Sequence, residues 1–281
     1  MRIFEIPEGS KTSKGRAIQN LINIEQDDKV KAFINTQDLK DSDYVNSHYV
    51  VMATKKGQIK KTSLEKYSRP RINGINAITI KENDELLEAK LTNGNSEILM
   101  AVKTGKAIRF QESKTRPMGR GASGVRGIKL KDNKDEVIGM VSVNDVSTDI
   151  LVVSKNGYGK RSKLDDYRIT NRGGKGVKTI SITEKTGSLV SIKNVSDGDD
   201  LMIINKSGIT IRMSVDDMRV MGRATQGVRL INLKNDDLIA AVAKVEISDD
   251  DQEAELVDGQ EIENSSNNDE DQILNINKSD D

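Results

Sequence analysis

Cations and glycines recur in this chain at matching offsets, and together they have the chemistry of an anion-binding surface. The segment NRGGKGVKTI, residues 171–180, holds three glycines and three cations. RINGINAI, GASGVRGI and ATQGVRLI repeat its plan around Gly74, Gly124 and Gly227, as this one does around Gly176. Each lies downstream of a Lys-x-Gly turn, at Gly57, Gly105, Gly157 and Gly208, and these turn glycines are 48, 52 and 51 residues apart. Cations take two places in every unit. One set follows the turn glycine: Lys60 and Lys61, Arg109, Lys160 and Arg161, and Arg212. The other flanks the later glycine: Lys14 and Arg16 beside Gly15, Arg69 and Arg71, then Arg116, Arg120 and Arg126. It continues with Arg168, Arg172, Lys175 and Lys178, and ends with Arg219, Arg223 and Arg229.

A guanidinium can make two parallel hydrogen bonds to one phosphate, and glycine lets a main-chain N–H come close with no Cβ in the way. A periodic belt of such groups suits phosphates rather than base edges, so double-stranded DNA bound with little sequence preference is the expected partner. With roughly ten phosphates neutralised, log affinity would fall against log salt with a slope near −9. A curved belt would also bend the duplex, at several to roughly ten kcal/mol on elastic estimates. Many phosphate contacts can offset that cost, as in architectural proteins that wrap DNA without base contacts.

The residues between the cations must build the scaffold. VVMATKKGQIKKTSLEKY, ILMAVKTGKAIRFQES, ILVVSKNGYGKRSKLDDY and LMIINKSGITIRMSVDDM each run apolar strand, turn, strand. ITIKENDELLEAKL and its counterparts add a strand, an Asp/Asn-rich turn and another strand. Four short strands per unit of about 50 residues, with little helical periodicity, predict an all-β, propeller-like disc of four-stranded blades. Complete blades are expected at 48–95, 96–146, 147–196 and 197–245. TSKGRAIQNL marks a truncated first blade and loop at 1–47, with 36–47 reading as an extended loop. Apolar stretches such as 50–52, 98–100, 150–153 and 201–204 are blade core.

The 44 basic and 44 acidic residues cancel overall but are unevenly placed. From residue 246 onward there are 14 acidic residues and one lysine, so residues 1–245 carry +13 and the tail −13. The basic body points to a polyanion. The tail at 246–281, rich in Asn and Ser and without aromatics, is expected to be disordered, to dock through the ILNIN patch at 273–277 and to compete for the basic rim.

Several classes are excluded or disfavoured. There is no cysteine and a single histidine, His48, so thiolate or imidazole metal centres cannot form. No apolar run of about 18 residues occurs, and a cytoplasmic protein without a membrane partner is expected. Tyr67 and Tyr167 fall where the other units have Thr115 and Met218, a packing position rather than a nucleophile's. Asp84 and Glu85, Asp135 and Glu136, and Asp236 and Asp237 read as turn-forming carboxylates. No Walker loop is present. A protein-binding scaffold would call for aromatic hot spots, and tryptophan is absent.

EIPEGSKTSKGRAIQNLINIE, MATKKGQIKKTSLEKY, AIRFQESKTRPMGRGASGVRGIKL, NGYGKRSKLDDYRITNRGGKGVKTI and MGRATQGVRLINL together closely resemble the C-terminal domain of the bacterial DNA gyrase A protein. The resemblance runs in order over about residues 1–245 and implies a β-pinwheel that wraps DNA around its basic rim. It also implies an upstream breakage-reunion domain in the same polypeptide, pairing with the gyrase B protein in an A2B2 heterotetramer, and ATP-dependent negative supercoiling. ATP and Mg2+ would act elsewhere in that assembly, with no catalytic residue or cofactor in this chain. The family's diagnostic box, Gln-Arg-Arg-Gly-Gly-(Arg/Lys)-Gly in its first blade, matches TNRGGKG at 170–176 only over its last five positions. That segment is a related turn in a later blade, and the box is expected upstream of Met1. The equivalent topoisomerase IV domain is the alternative within the same fold.

Overall fold

The computed structural model describes residues 5–245 except 11, 23, 26, 27, 72 and 234–236. The acidic tail and Asp236 lie outside the described residues. The first sheet is built on a hairpin, β1 (Tyr49–Thr54) and β2 (Gln58–Ser63), turned at Gly57 with φ 83°, and β3 (Leu86–Thr92) pairs with the other edge of β1. The next unit repeats this with β4 (Glu97–Val102), β5 (Lys106–Gln111) and β7 (Val137–Val143), and places the two-residue β6 (Val125–Arg126) between them in sequence. β8 (Asp149–Ser154), β9 (Tyr158–Lys163), β10 (Val177–Lys178) and β11 (Leu189–Val195) follow. The last unit holds β12 (Asp200–Asn205), β13 (Thr210–Ser214), β14 (Val228–Arg229) and β15 (Ile239–Val245).

The all-β, propeller-like class stands, but a blade is not a contiguous repeat. The sheet orders are β3-β1-β2-β6, β7-β4-β5-β10, β11-β8-β9-β14 and β15-β12-β13. Each short strand is thus an arm that leaves its own unit and completes the preceding one, pairing Val125 with Ile59, Val177 with Ala107 and Val228 with Gly159. The second glycine of the last three repeats makes this possible. At Gly176, φ is 69° and a Cβ would stand 2.5 Å from the Ala107 carbonyl oxygen; Gly124 and Gly227 lie equally close to Ile59 and Gly159. Past the kink, the arm seals the turn glycine of the blade it joins: the N–H of Gly127 donates to Gly57 O at 2.8 Å, that of Thr179 to Gly105 O at 2.9 Å and that of Leu230 to Gly157 O at 2.9 Å. Gly176→Ala is expected to cost at least about 2 kcal/mol, from left-handed backbone strain and a clash with main chain that cannot swing aside. Urea unfolding measures it.

Strand alternation assigns each central strand two partners. Val51 and Ala53 pack with Ile98, Met100 and Val102; Leu99 and Ala101 pack with Ile150 and Val152; Leu151 and Val153 pack with Leu201 and Ile203. The outer face of the first sheet, Val50 and Met52, packs with Leu64 just after β2 and is covered by Ile34, Leu39, Tyr44 and Val45. The last two belong to a short helix, α1 (Ser42–Ser47), so the expected extended loop at 36–47 is corrected here. Asp41 starts it, its carboxylate accepting the N–H groups of Asp43 and Tyr44, which is N-cap chemistry. Among the described residues, 5–41 contain a 3₁₀ turn, Ile18–Asn20, and no strand.

Candidate nucleic-acid interface

The structure divides the sequence-selected cations into two populations. Those after the turn glycine lie in central hairpin strands, and most are buried: Lys60 and Lys160 are 0% exposed, Lys61 4% and Arg109 5%. Arg109 forks onto Glu97 at 2.5 and 2.6 Å and gives its remaining donors to the carbonyls of Leu164 and Tyr167 in the next unit. Arg161 repeats this on the Met218 carbonyl and Asp197, the latter at 2.5 Å. Lys61 bonds Glu112 at 2.7 Å and lies 4.0 Å from the centre of the Tyr49 ring. Lys60 donates to the carbonyls of Ala77 and Arg120, and Lys160 to that of Gly222. The expectation that Lys60, Lys61, Arg109, Lys160 and Arg161 meet phosphate is therefore corrected: their donors already bind carbonyls and carboxylates and lace each unit to the next. Arg212, which pairs with Asp200 at 2.5 Å, sits at the same strand position but on an exposed edge.

Burial holds the Lys160 ammonium down to about 8, with Asp166 working against the shift and Arg223 with it. Lys60 is lowered as well, first by burial and then by Arg120. Burial pushes the Tyr167 phenol, bonded to Thr179 at 2.5 Å, up to about 12. From about pH 8 to 10.5 the unfolded chain still holds the Lys160 proton that the folded chain has lost, so this residue's contribution to stability rises with pH. Tyr167 acts in the opposite sense between about pH 10 and 12, where only the unfolded phenol ionises. Denaturant titrations of the wild type against Lys160→Met and Tyr167→Phe should show differences of opposite slope in those two windows.

The second population is solvent-facing. Lys14, Arg16, Arg69, Arg71, Arg116 and Arg126 are exposed, as are Arg168, Lys175, Lys178, Arg219 and Arg229; Arg120, Arg172 and Arg223 are half-buried. Counted from Arg109, Arg161 and Arg212, the cations in the loop and arm fall at offsets 7, 11 and 17 in each of three units. The strands fix the first: Arg116, Arg168 and Arg219 each precede a residue bridged in parallel to Lys61, Arg109 or Arg161 of the previous blade. The middle residue ties neighbouring loops. Arg172 donates to the carbonyls of Lys114 and Arg126, both at 3.0 Å, and Arg223 to those of Asp166 at 2.9 Å and Lys178 at 2.8 Å. The main chain adds Gly173 N–H to Gly127 O, Lys129 N–H to Gly174 O and Ser181 N–H to Thr225 O. The loops around 119–129, 171–181 and 222–231 therefore form one hydrogen-bonded rim carrying Arg126, Lys178 and Arg229 at equivalent arm positions. Arg229 also donates to the Tyr158 hydroxyl.

Sequence reasoning grouped the two sets together and missed this rim-clamping role of Arg172 and Arg223, for which the regular offset of 11 was the available sign. The turn carboxylates behave as expected, Asp84 accepting the N–H groups of Lys56 and Glu85, and Asp135 those of Thr104, Lys131 and Glu136. Among the described residues, no cluster of three His, Cys, Asp or Glu could hold a metal ion, and no helix is long and apolar enough to cross a membrane. The His48 ring lies tilted at 39° against Tyr44, with centroids 4.3 Å apart, and its Nδ1 lies within hydrogen-bond distance of the Tyr44 carbonyl and the Ser47 hydroxyl.

An arm-exchanged β-propeller with a periodic cationic rim is the class that this fold and surface define. The model of the DNA gyrase C-terminal domain, a β-propeller, matches residues 1–37, 48–93, 96–144, 148–196 and 199–246, and the chain belongs to that family. It is 44% identical over 264 residues to the DNA gyrase A protein of Staphylococcus aureus strain MRSA252, covering 92% of this chain and 29% of that one. Against strain NCTC 8325 it is 45% identical over 243 residues, covering 86% and 27%. The chain thus spans under a third of the length of these relatives. A solved DNA gyrase A C-terminal domain superposes with TM-score 0.72 at 26% identity, covering 84% of this chain and 76% of that one. The C-terminal domain of DNA topoisomerase IV, at 23% identity and TM-score 0.77 over 88% and 75%, shares the fold.

Proposed function

We propose that this chain is the DNA-binding and DNA-wrapping part of a gyrase A protein, gripping duplex phosphates along its rim without reading sequence. The carrying observation is the threefold recurrence of cations at offsets 7, 11 and 17 on loops hydrogen-bonded into one rim. Three loops clamped side by side offer charge at a repeating interval, which a regular phosphate backbone can match and a scattered solvated surface cannot. The likeness at 44–45% identity is to gyrase A proteins, which favours that reading over topoisomerase IV. In that reading, DNA cleavage belongs to an upstream breakage-reunion domain of the same polypeptide, and ATP and Mg2+ act elsewhere in an A2B2 heterotetramer with the gyrase B protein in the bacterial cytoplasm.

The test is binding of a linear duplex as a function of salt, with the linking number of a relaxed plasmid read after nicking and ligation in the presence of the protein. Steep salt dependence with a linking-number change supports wrapping. Tight binding without a topological change reduces the role to holding DNA, and no binding overturns the DNA reading.

A further inference from the structure

The rim carries a row of apolar side chains among its cations. Pro117, Ile169 and Val220 are the residues bridged in parallel to Lys61, Arg109 and Arg161. Each stands one place after the arginine at offset 7 and three before the one at offset 11, in the segments Arg-Pro-Met-Gly-Arg, Arg-Ile-Thr-Asn-Arg and Arg-Val-Met-Gly-Arg. The main chain beside them is pinned: the N–H groups of Met118, Thr170 and Met221 donate to the carbonyls of Lys61, Arg109 and Arg161 at 2.8, 2.9 and 2.8 Å. Their side chains nevertheless face water, Ile169 being 49% and Val220 42% exposed, with Pro117 exposed as well.

Single exposed apolar residues are ordinary, but these three share one register. Backbone preference does not account for them, because proline is a poor strand residue where isoleucine and valine are good ones. What the three have in common is apolar surface. Charge surrounds it on both sides. Among the described residues, none of the flanking arginines Arg116, Arg120, Arg168, Arg172, Arg219 and Arg223 makes an ion pair. Arg172 and Arg223 bond only neutral carbonyls, so they keep their charge at the surface. The partner that fits has anions on either side of an apolar strip, repeated at intervals.

We infer that Pro117, Ile169 and Val220 rest on the deoxyribose walls of the DNA minor groove and make the rim prefer duplex DNA to duplex RNA; this rests on the DNA reading above. In B-DNA a groove about 6 Å wide separates two phosphate rows, and two arginines three residues apart span on the order of 10 Å, enough for one to reach each row. Curving the duplex toward the protein compresses the inward-facing minor groove and presses its sugar C–H groups onto the apolar side chain between them. Duplex RNA displays 2′-hydroxyls on that face, so the same approach would strip water from a polar group and give it no hydrogen bond. Sugar contacts carry no base information, in keeping with binding that does not read sequence. The first unit has Arg69 at the equivalent place, so the row extends over three loops.

The test compares the wild type with Pro117→Ser, Ile169→Ser and Val220→Ser combined, on DNA and RNA duplexes of one sequence across a salt series. Affinity for DNA should fall at least about tenfold, since each buried methylene contributes about fourfold. The slope against salt should not move, because an apolar contact releases no counterion. Affinity for RNA should stay within about twofold of wild type. Pro117→Val with Ile169→Val keeps the row apolar and should hold DNA affinity within about twofold, which separates lost contact from altered loops. Equal losses on the two duplexes, a shallower salt slope, or unchanged DNA binding by the serine variant would each overturn this assignment and leave the DNA reading standing. Absence of binding by the wild type to either duplex would overturn both.

Discussion

Exchanging Arg126, Arg168, Lys175 and Lys178 together for glutamine is expected to weaken binding of a nonspecific duplex on the order of 10²- to 10³-fold near 0.1 M salt. The slope of log affinity against log salt should become shallower by about 3 to 4, since each lost phosphate contact removes about 0.9. All four side chains are exposed, and they extend from loops whose positions are set by main-chain bonds and by the Arg172 and Arg223 clamps. Stability should therefore stay within about 0.5 kcal/mol of wild type. Because the contacts carry no base information, the loss should be the same for duplexes of unrelated sequence, which separates phosphate gripping from base readout. A change confined to one sequence, or an unchanged salt slope, would place the nucleic-acid surface elsewhere.

The fold was legible where period and turn chemistry agree. The Lys-x-Gly turns at Gly57, Gly105, Gly157 and Gly208 mark hairpins, and the apolar runs before them are the central strands. The exchange of arms was not legible, because a two-residue strand such as Val177–Lys178 is too short to show alternation and only its long-range pairing reveals which sheet it joins. The cations were legible as a set but not as two sets. Two signs in the sequence nevertheless bear on their division. Lys60 and Lys160 occupy a strand position at which the sibling units carry Ile108 and Ile211, and Ile108 is buried in the core. Arg109, Arg161 and Arg212 each have a carboxylate twelve residues earlier, Glu97, Asp149 and Asp200, which the hairpin folds back to ion-pairing distance. Net charge reports neither sign, since a buried cation counts toward +13 as fully as an exposed one.

The counterpart experiment concerns Arg109, where removing a charge should act on the fold. Arg109→Ala is expected to cost about 3–5 kcal/mol, the usual effect of stripping one partner from a buried ion pair. Glu97 would lose both of its guanidinium bonds, the Tyr167 carbonyl would lose its donor and the Leu164 carbonyl one of its two, opening the junction between the second and third sheets. The double variant Arg109→Met with Glu97→Leu removes the orphaned carboxylate and restores apolar volume, so it should recover roughly half of the loss. The Tyr167 carbonyl remains unsatisfied and accounts for the rest, at about 1–3 kcal/mol, while the Leu164 carbonyl keeps the Tyr167 N–H. Urea titration of the two variants measures this. At salt and temperature where the double variant stays folded, its DNA affinity and salt slope should match wild type. A shallower slope in that variant would mean that Arg109 reaches phosphate after all and that the division of the cations into lacing and gripping sets does not hold.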